Sequence, residues 1–253
     1  MKRDAFSVLP LALGFVLLGT IRGNDVQEAA SPVVRHDATA SGAIGRVLTR
    51  VSAPSFHPRR DDERDLAAIR RKLRAGEPGT YIRDILLERD SALARWPDRH
   101  DTPLTVWIQP YAPIHDFTTD YVSHVREAFE NWDELALPVR FAFVDDSASA
   151  EVHVNWIDRF REPISGRTRW ARDDDWTITD ANIVLAVHHH QGEILDVMSM
   201  RAMALHEIGH LLGLDHTSDS TSIMAPRVRV RDLSGADRAT VRLLYDLPAG
   251  RLK

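Results

Sequence analysis

One stretch constrains this chain more than any other: His206-Glu207-Ile208-Gly209-His210-Leu211-Leu212-Gly213-Leu214-Asp215-His216, which spaces as H-E-x-x-H-x-x-G-x-x-H. On a helix, His206 and His210 fall one turn apart on the same face, where both imidazoles can grip one metal ion. Glu207 lies beside them and can reach a metal-bound water without being a ligand itself. Gly213 has no Cβ, so the chain can leave the helix there in a conformation other residues resist. That exit returns the chain and offers His216 as a third nitrogen ligand. Three imidazoles with one open position are a catalytic zinc arrangement, so zinc is the expected ion.

A buried amphipathic helix can carry histidines with no metal at all. The offsets of Gly213 and His216 argue against that here, because the bare H-E-x-x-H string arises by chance far more often than the full one. Packing also has residues of its own. Ala202, Leu205, Gly209 and Leu212 share one face, and Met203, His206, Glu207 and His210 share the opposite one. Further on, Ser222-Ile223-Met224 fits the methionine-containing turn that follows this motif in some zinc peptidases. Met224 would then lie beneath the metal as an apolar floor.

The string His206 to His216, with Met224 behind it, resembles the metzincin zinc peptidases. Gly213-Leu214-Asp215-His216, Leu233-Ser234 and Leu244-Tyr245 are most similar to the matrixin branch, the matrix-metalloproteinase-like enzymes. The resemblance runs from Leu104 to Pro248, by motif at the zinc stretch and by order of elements upstream. It implies an α+β, zincin-like catalytic domain. Its parts would be a twisted mixed sheet of about five strands, an active-site helix, a second long helix and a C-terminal helix. A substrate peptide would add itself as an extra strand to the sheet edge along the cleft. Two departures stand out. Ala225 occupies the place where several metzincins carry a tyrosine, and the chain has no cysteine. Many matrixins keep themselves inactive with a propeptide cysteine on the zinc, and this chain cannot.

Composition mainly excludes. The 253 residues allow one ordinary domain plus extensions. The net charge of −5 and the lack of a basic stripe exclude a nucleic-acid partner. Without cysteine, stability must come from the core and the metal.

Residues 1–22 read as a targeting segment. Lys2 and Arg3 precede an apolar run over residues 5–21. At about 17 residues, that run lies between a signal peptide and a full membrane span. It is either cut or kept as a membrane anchor, and both predict export, with the protein secreted or held on the outer face. Residues 23–58 read as a flexible linker. In residues 59–100, Leu66, Ile69 and Leu73 mark a solvated helix, Glu77-Pro78-Gly79 breaks it, and Tyr81, Ile82, Ile85, Leu86 and Leu93 suggest a second helix ending near Trp96-Pro97. This region is either a pro-segment or an N-terminal lead packed on the catalytic domain. In an inhibitory pro-segment, Asp84 or Asp90 could cover the zinc.

Residues 101–253 read as the zinc peptidase domain. Strands are expected at 104–108, 139–144 and 151–157, a short edge strand at 168–171, and a strand at 182–187 apolar enough to be covered on both faces. A helix from Thr118 has Tyr121, Val125, Phe129 and Trp132 on one face, and Ser234 with Asp237 forms a capping box for the last helix. His188-His189-His190 reads as an exposed loop, and Asp173, Asp174 and Asp175 as an acidic one. Either could bind metal, but a calcium or second zinc site is not legible.

The expected activity is zinc-dependent endopeptidase action on a protein or peptide substrate. His206, His210 and His216 would hold one catalytic zinc, with Glu207 as general base to a zinc-bound water and Gly213 and Met224 supporting the site. The competing reading is a catalytically silent zinc-containing binding module at the cell surface. Glu207 argues against it, since a structural site needs no base. Oligomeric state is not encoded in any visible pattern.

Overall fold

A computed structural model describes residues 59–252 of the protein. The leader or anchor at 1–22 and the linker at 23–58 lie outside the described residues. In chain order the helices and strands are α1 (Arg59–Gly76), α2 (Ile82–Glu88), β1 (Ala92–Leu93), β2 (Arg99–Ile108), α3 (Asp120–Asp133), β3 (Val139–Phe143), β4 (Val152–Ile157), β5 (Gly166–Arg172), β6 (Ile178–Ala186), α4 (Val197–Leu211), α5 (Gly235–Asp246) and β7 (Gly250–Arg251). Among the described residues, no helix is long and apolar enough to cross a membrane.

Five strands form one mixed sheet in the order β3-β2-β4-β6-β5. The first four are parallel, and β5 closes the edge antiparallel to β6. The alternation Val152-His153-Val154-Asn155-Trp156-Ile157 buries every second side chain of β4, as a half-covered strand should. Helices α3 and α4 pack closely together. From α3, Tyr121, Val125, Phe129 and Trp132 all enter the core. Burial of each such side chain is worth about 1.5–3 kcal/mol. Two of them carry polar tips, and both are satisfied on the zinc-helix side. The Tyr121 hydroxyl donates to Leu195 O at 2.6 Å, and Trp132 Nε1–H donates to Leu205 O at 3.0 Å. These bonds fix where α4 lies.

Four expectations need correction. Leu93 does not extend α2. It lies in β1, whose short antiparallel pairing with β7 joins Ala92 and Leu93 to Arg251 and Gly250. Strand β2 starts at Arg99, ahead of its apolar stretch, because Arg99 pairs with Val139 across a register irregularity. Strand β6 alternates in burial, with Asn182 and Val184 only half-covered, so one of its faces is partly open. His188 is buried, not exposed, and only His189 and His190 reach solvent. The acidic loop is the β5–β6 turn, where Asp173 Oδ1 accepts from the backbone N–H groups of Asp175 and Thr177 at 3.0 and 2.8 Å.

Candidate metal and catalytic site

Helix α4 begins at Asp196, whose side chain accepts from Ser199 N at 2.8 Å. It is sheathed on almost every side, and Met200, Ala202, Ala204, Leu205, Ile208 and Leu211 are all buried. The two-faced helix of the sequence reading is therefore a core helix whose cleft-facing seam carries His206, Glu207 and His210, while Arg201 is buried apart from it against Glu127, Asn131 and Asp232.

The helix ends in a glycine-dependent turn. Gly213 has φ +97°, and Leu214 N–H donates back to Gly209 O at 2.9 Å. A Cβ at Gly213 would run into the carbonyl oxygen of Ala94, so a side chain is excluded there by space as well as by conformation. The turn brings His216 back over the helix. The three Nε2 atoms form a triangle with sides of 3.2, 3.2 and 3.3 Å.

That triangle tests the fit to zinc. His206 Nδ1 donates to Ile223 O at 2.7 Å and His210 Nδ1 donates to Leu214 O at 3.0 Å. With their protons on Nδ1, these rings present bare lone pairs at Nε2. Burial reinforces this by pushing the His206 imidazole down to about 4 and that of His210 well below its ordinary range. His216 is lowered too, again by desolvation. Lone pairs converging this closely need a cation between them. Tetrahedral Zn–N bonds of about 2.0–2.1 Å would set the nitrogens about 3.3–3.4 Å apart, close to the sides observed. The residues fit zinc, the metal these donors select.

Met224 lies beneath, fully buried against Gly209, where any Cβ would strike its sulfur. Its turn hangs from Asp237, which is completely buried. Asp237 accepts from Ser222 Oγ and Tyr81 Oη on Oδ1, and from the N–H groups of Ile223 and Ser234 on Oδ2. The sequence shows Asp237 only as half of a capping box.

Glu207 lies on the same seam, 3% exposed, and desolvation raises its carboxyl to about 7. The Thr168 hydroxyl on β5 stands 2.7 Å from Glu207 Oε2, a bond that moderates the rise. Gly166, also on β5, leaves room for this carboxylate, since a Cβ there would collide with it. Neither Thr168 nor Gly166 is marked by any motif. Both line a cleft of about 710 Å³ with the three histidines, Glu207 and Met203. Pro226 and Val228, just past Ala225, form another wall of it.

The other grouping of ligand-type side chains among the described residues is His115, Asp116 and His188. Both His188 nitrogens face carboxylates there, Asp158 Oδ1 at 2.8 Å and Asp116 Oδ2 at 3.1 Å.

A helix carrying two histidines under a mixed sheet, a returning third histidine and a methionine turn form the arrangement of the zinc-dependent metzincins. The matrixin family model matches residues 158–246, and over that stretch the chain is matrixin-like. Relatives agree. Matrix metalloproteinase-C of Caenorhabditis elegans is 25% identical over 213 residues, covering 73% of this chain and 34% of the relative. Metalloendoproteinase 1-MMP of Arabidopsis thaliana is 28% identical over 164 residues, covering 56% and 43%. Human matrix metalloproteinase-16 is 40% identical over 128 residues, covering 49% and 17%. The chain thus spans less than half the length of each of these relatives.

Proposed function

We propose that this protein is an exported zinc endopeptidase in which His206, His210 and His216 hold the metal and Glu207 is the general base. The observation that carries the reading is the convergence of three Nε2 lone pairs beside a buried carboxylate, all facing one open cleft. Zinc bound there supplies Lewis acidity, lowering the pKa of a water and stabilising developing oxyanion charge. Glu207 takes the proton from the attacking water and returns it to the leaving amine. Burial raises this carboxyl above its ordinary range, towards the neutral range that suits both transfers. Thr168 keeps the carboxylate aimed, and the substrate lies extended along β5, whose outer edge has no neighbouring strand among the described residues. Export rests on the leader reading of residues 1–22.

Cleavage of casein or a peptide library, abolished by chelation and restored by zinc, tests the reading. Glu207→Ala should lower kcat by at least about 10²–10⁴-fold while stoichiometric zinc stays bound. Full activity in that variant would sink the assignment. The silent binding module predicts no hydrolysis by the wild type under any metal condition.

A further inference from the structure

We propose that residues Tyr81–Trp96 are a permanent strap of the catalytic unit, not a removable pro-segment, and that Arg89 within it is a positioning residue for His216. This rests on the reading of His216 as a metal ligand.

The strap is built in. Ile82, Ile85, Leu93 and Trp96 are fully buried. Trp96 Nε1–H donates to Leu211 O at 3.0 Å, at the end of the zinc helix, and Tyr81 N–H donates to Thr240 Oγ1 at 3.0 Å on α5. None of the strap lines the cleft. The two carboxylates that could have covered a metal are engaged elsewhere. Asp84 accepts from Thr217 Oγ1 at 2.9 Å, and Asp90 pairs with Arg251 at 3.6 Å.

Arg89 reaches from the end of α2 to the turn before His216. Its guanidinium donates to Gly213 O at 2.8 Å and Leu214 O at 3.4 Å, and its Nε stands 2.5 Å from the Asp215 carboxylate. It also lies over the Trp170 ring of β5, 5.1 Å from the centroid. One planar guanidinium therefore bonds the carbonyls of Gly213 and Leu214 and pairs its charge with Asp215, and the next residue is His216. The side chain is only 10% exposed, so these bonds form away from bulk water. His206 and His210 have carbonyls that fix their rings, and among the described residues His216 has none. Its place is set by the backbone that carries it, held on the N-terminal side by Arg89 and Gly213 and on the other by Thr217, which bonds Met224 O and Asp84. Partners behind a metal ligand typically govern 10–100-fold in metal affinity.

The test uses the full chain with R89M, R89K and the double variant R89M/D215N, which leaves no buried carboxylate unpaired. Each is loaded with zinc, and affinity is read by competition with a chromogenic chelator, alongside thermal unfolding of the zinc-free protein. R89M should bind zinc about 10–100-fold more weakly, and R89K should fall between it and wild type, because lysine lacks the fork. R89M/D215N should regain apo stability without regaining zinc affinity, which separates positioning from folding. Affinities within twofold of wild type in R89M and R89M/D215N would overturn the role of Arg89. A protease site placed at Gly79 should allow cutting with zinc retained, whereas a site at Ser91 should release zinc on cutting. Retained zinc and a folded protein after cutting at Ser91 and separating the fragments would overturn the strap. Zinc binding is read without peptide, so failure to hydrolyse any substrate would count against the peptidase reading alone.

Discussion

A single hydroxyl determines how the buried carboxylate of Glu207 is held. Thr168 donates to it from a different element, and Gly166 leaves it space. A hydrogen bond to a charged acceptor is worth about 1.5–3 kcal/mol, most of it felt if the acceptor is left unpaired. We expect Thr168→Val to lower kcat about tenfold with KM changed less than twofold, and Thr168→Ser to restore most of the loss. Steady-state kinetics on one peptide decides this. An unchanged kcat in Thr168→Val would remove Thr168 from the mechanism. The convergence of the three histidines was readable from sequence spacing, because they share one helix and its exit turn. Thr168 was not, because strand alternation locates an edge strand without saying which of its residues meets a carboxylate far along the chain.

At the scale of elements, the methionine turn and α5 are joined through Asp237, and through Tyr81 to the lead as well. Stripping a fully buried carboxylate of such a network leaves several donors without partners. Asp237→Ala should cost about 3–5 kcal/mol, a fall of about 10 °C in Tm on thermal unfolding. It should also weaken zinc binding, since Ile223 O is the acceptor that orients His206. A Tm within 2 °C of wild type, on the order of ordinary surface-substitution effects, would show the hub to be dispensable. The capping box at Ser234 and Asp237 was legible. The rest of the hub was not, since a local pattern cannot reveal that the same two oxygens also serve a turn and a tyrosine elsewhere. Leu93 was misplaced for a related reason, as its strand exists only through pairing with residues at the far end of the chain.

Across the whole molecule, His188 ties three connections together. It bridges Asp116, before α3, and Asp158, after β4, from its own position after β6. The Asp116 carboxylate, and then Asp158, hold its pKa above the ordinary imidazole value. Asp116 is held low by His188 first and then His115, and Asp158 by Arg159 first and then His188. A raised folded pKa means that the stability from charged His188 is full below about 6.5 and is lost as pH rises through the folded value. The two aspartates contribute fully above about 3.9, and that contribution is lost as pH falls through their lowered values. The Tm penalty of His188→Gln should therefore be largest near about pH 5–6 and smaller at about pH 9. A penalty that grew towards pH 9 would mean His188 is neutral in the fold. Burial of one histidine in a run of three was beyond the sequence, which sees a triplet as uniformly polar.

The outer border of the sheet has one more consequence. Strand β5 carries three arginines, Arg167 and Arg169 in alternation and Arg172 past a register shift at its end. An open border with free amide groups invites copies of the same protein to stack through it, and positive charge is a known guard against that. Two molecules meeting border to border would press like charges together, whereas a lone extended polypeptide brings no such row of its own. On the proposed reading, the same seven residues would admit a guest chain while disfavouring pairing with a second copy of the protein.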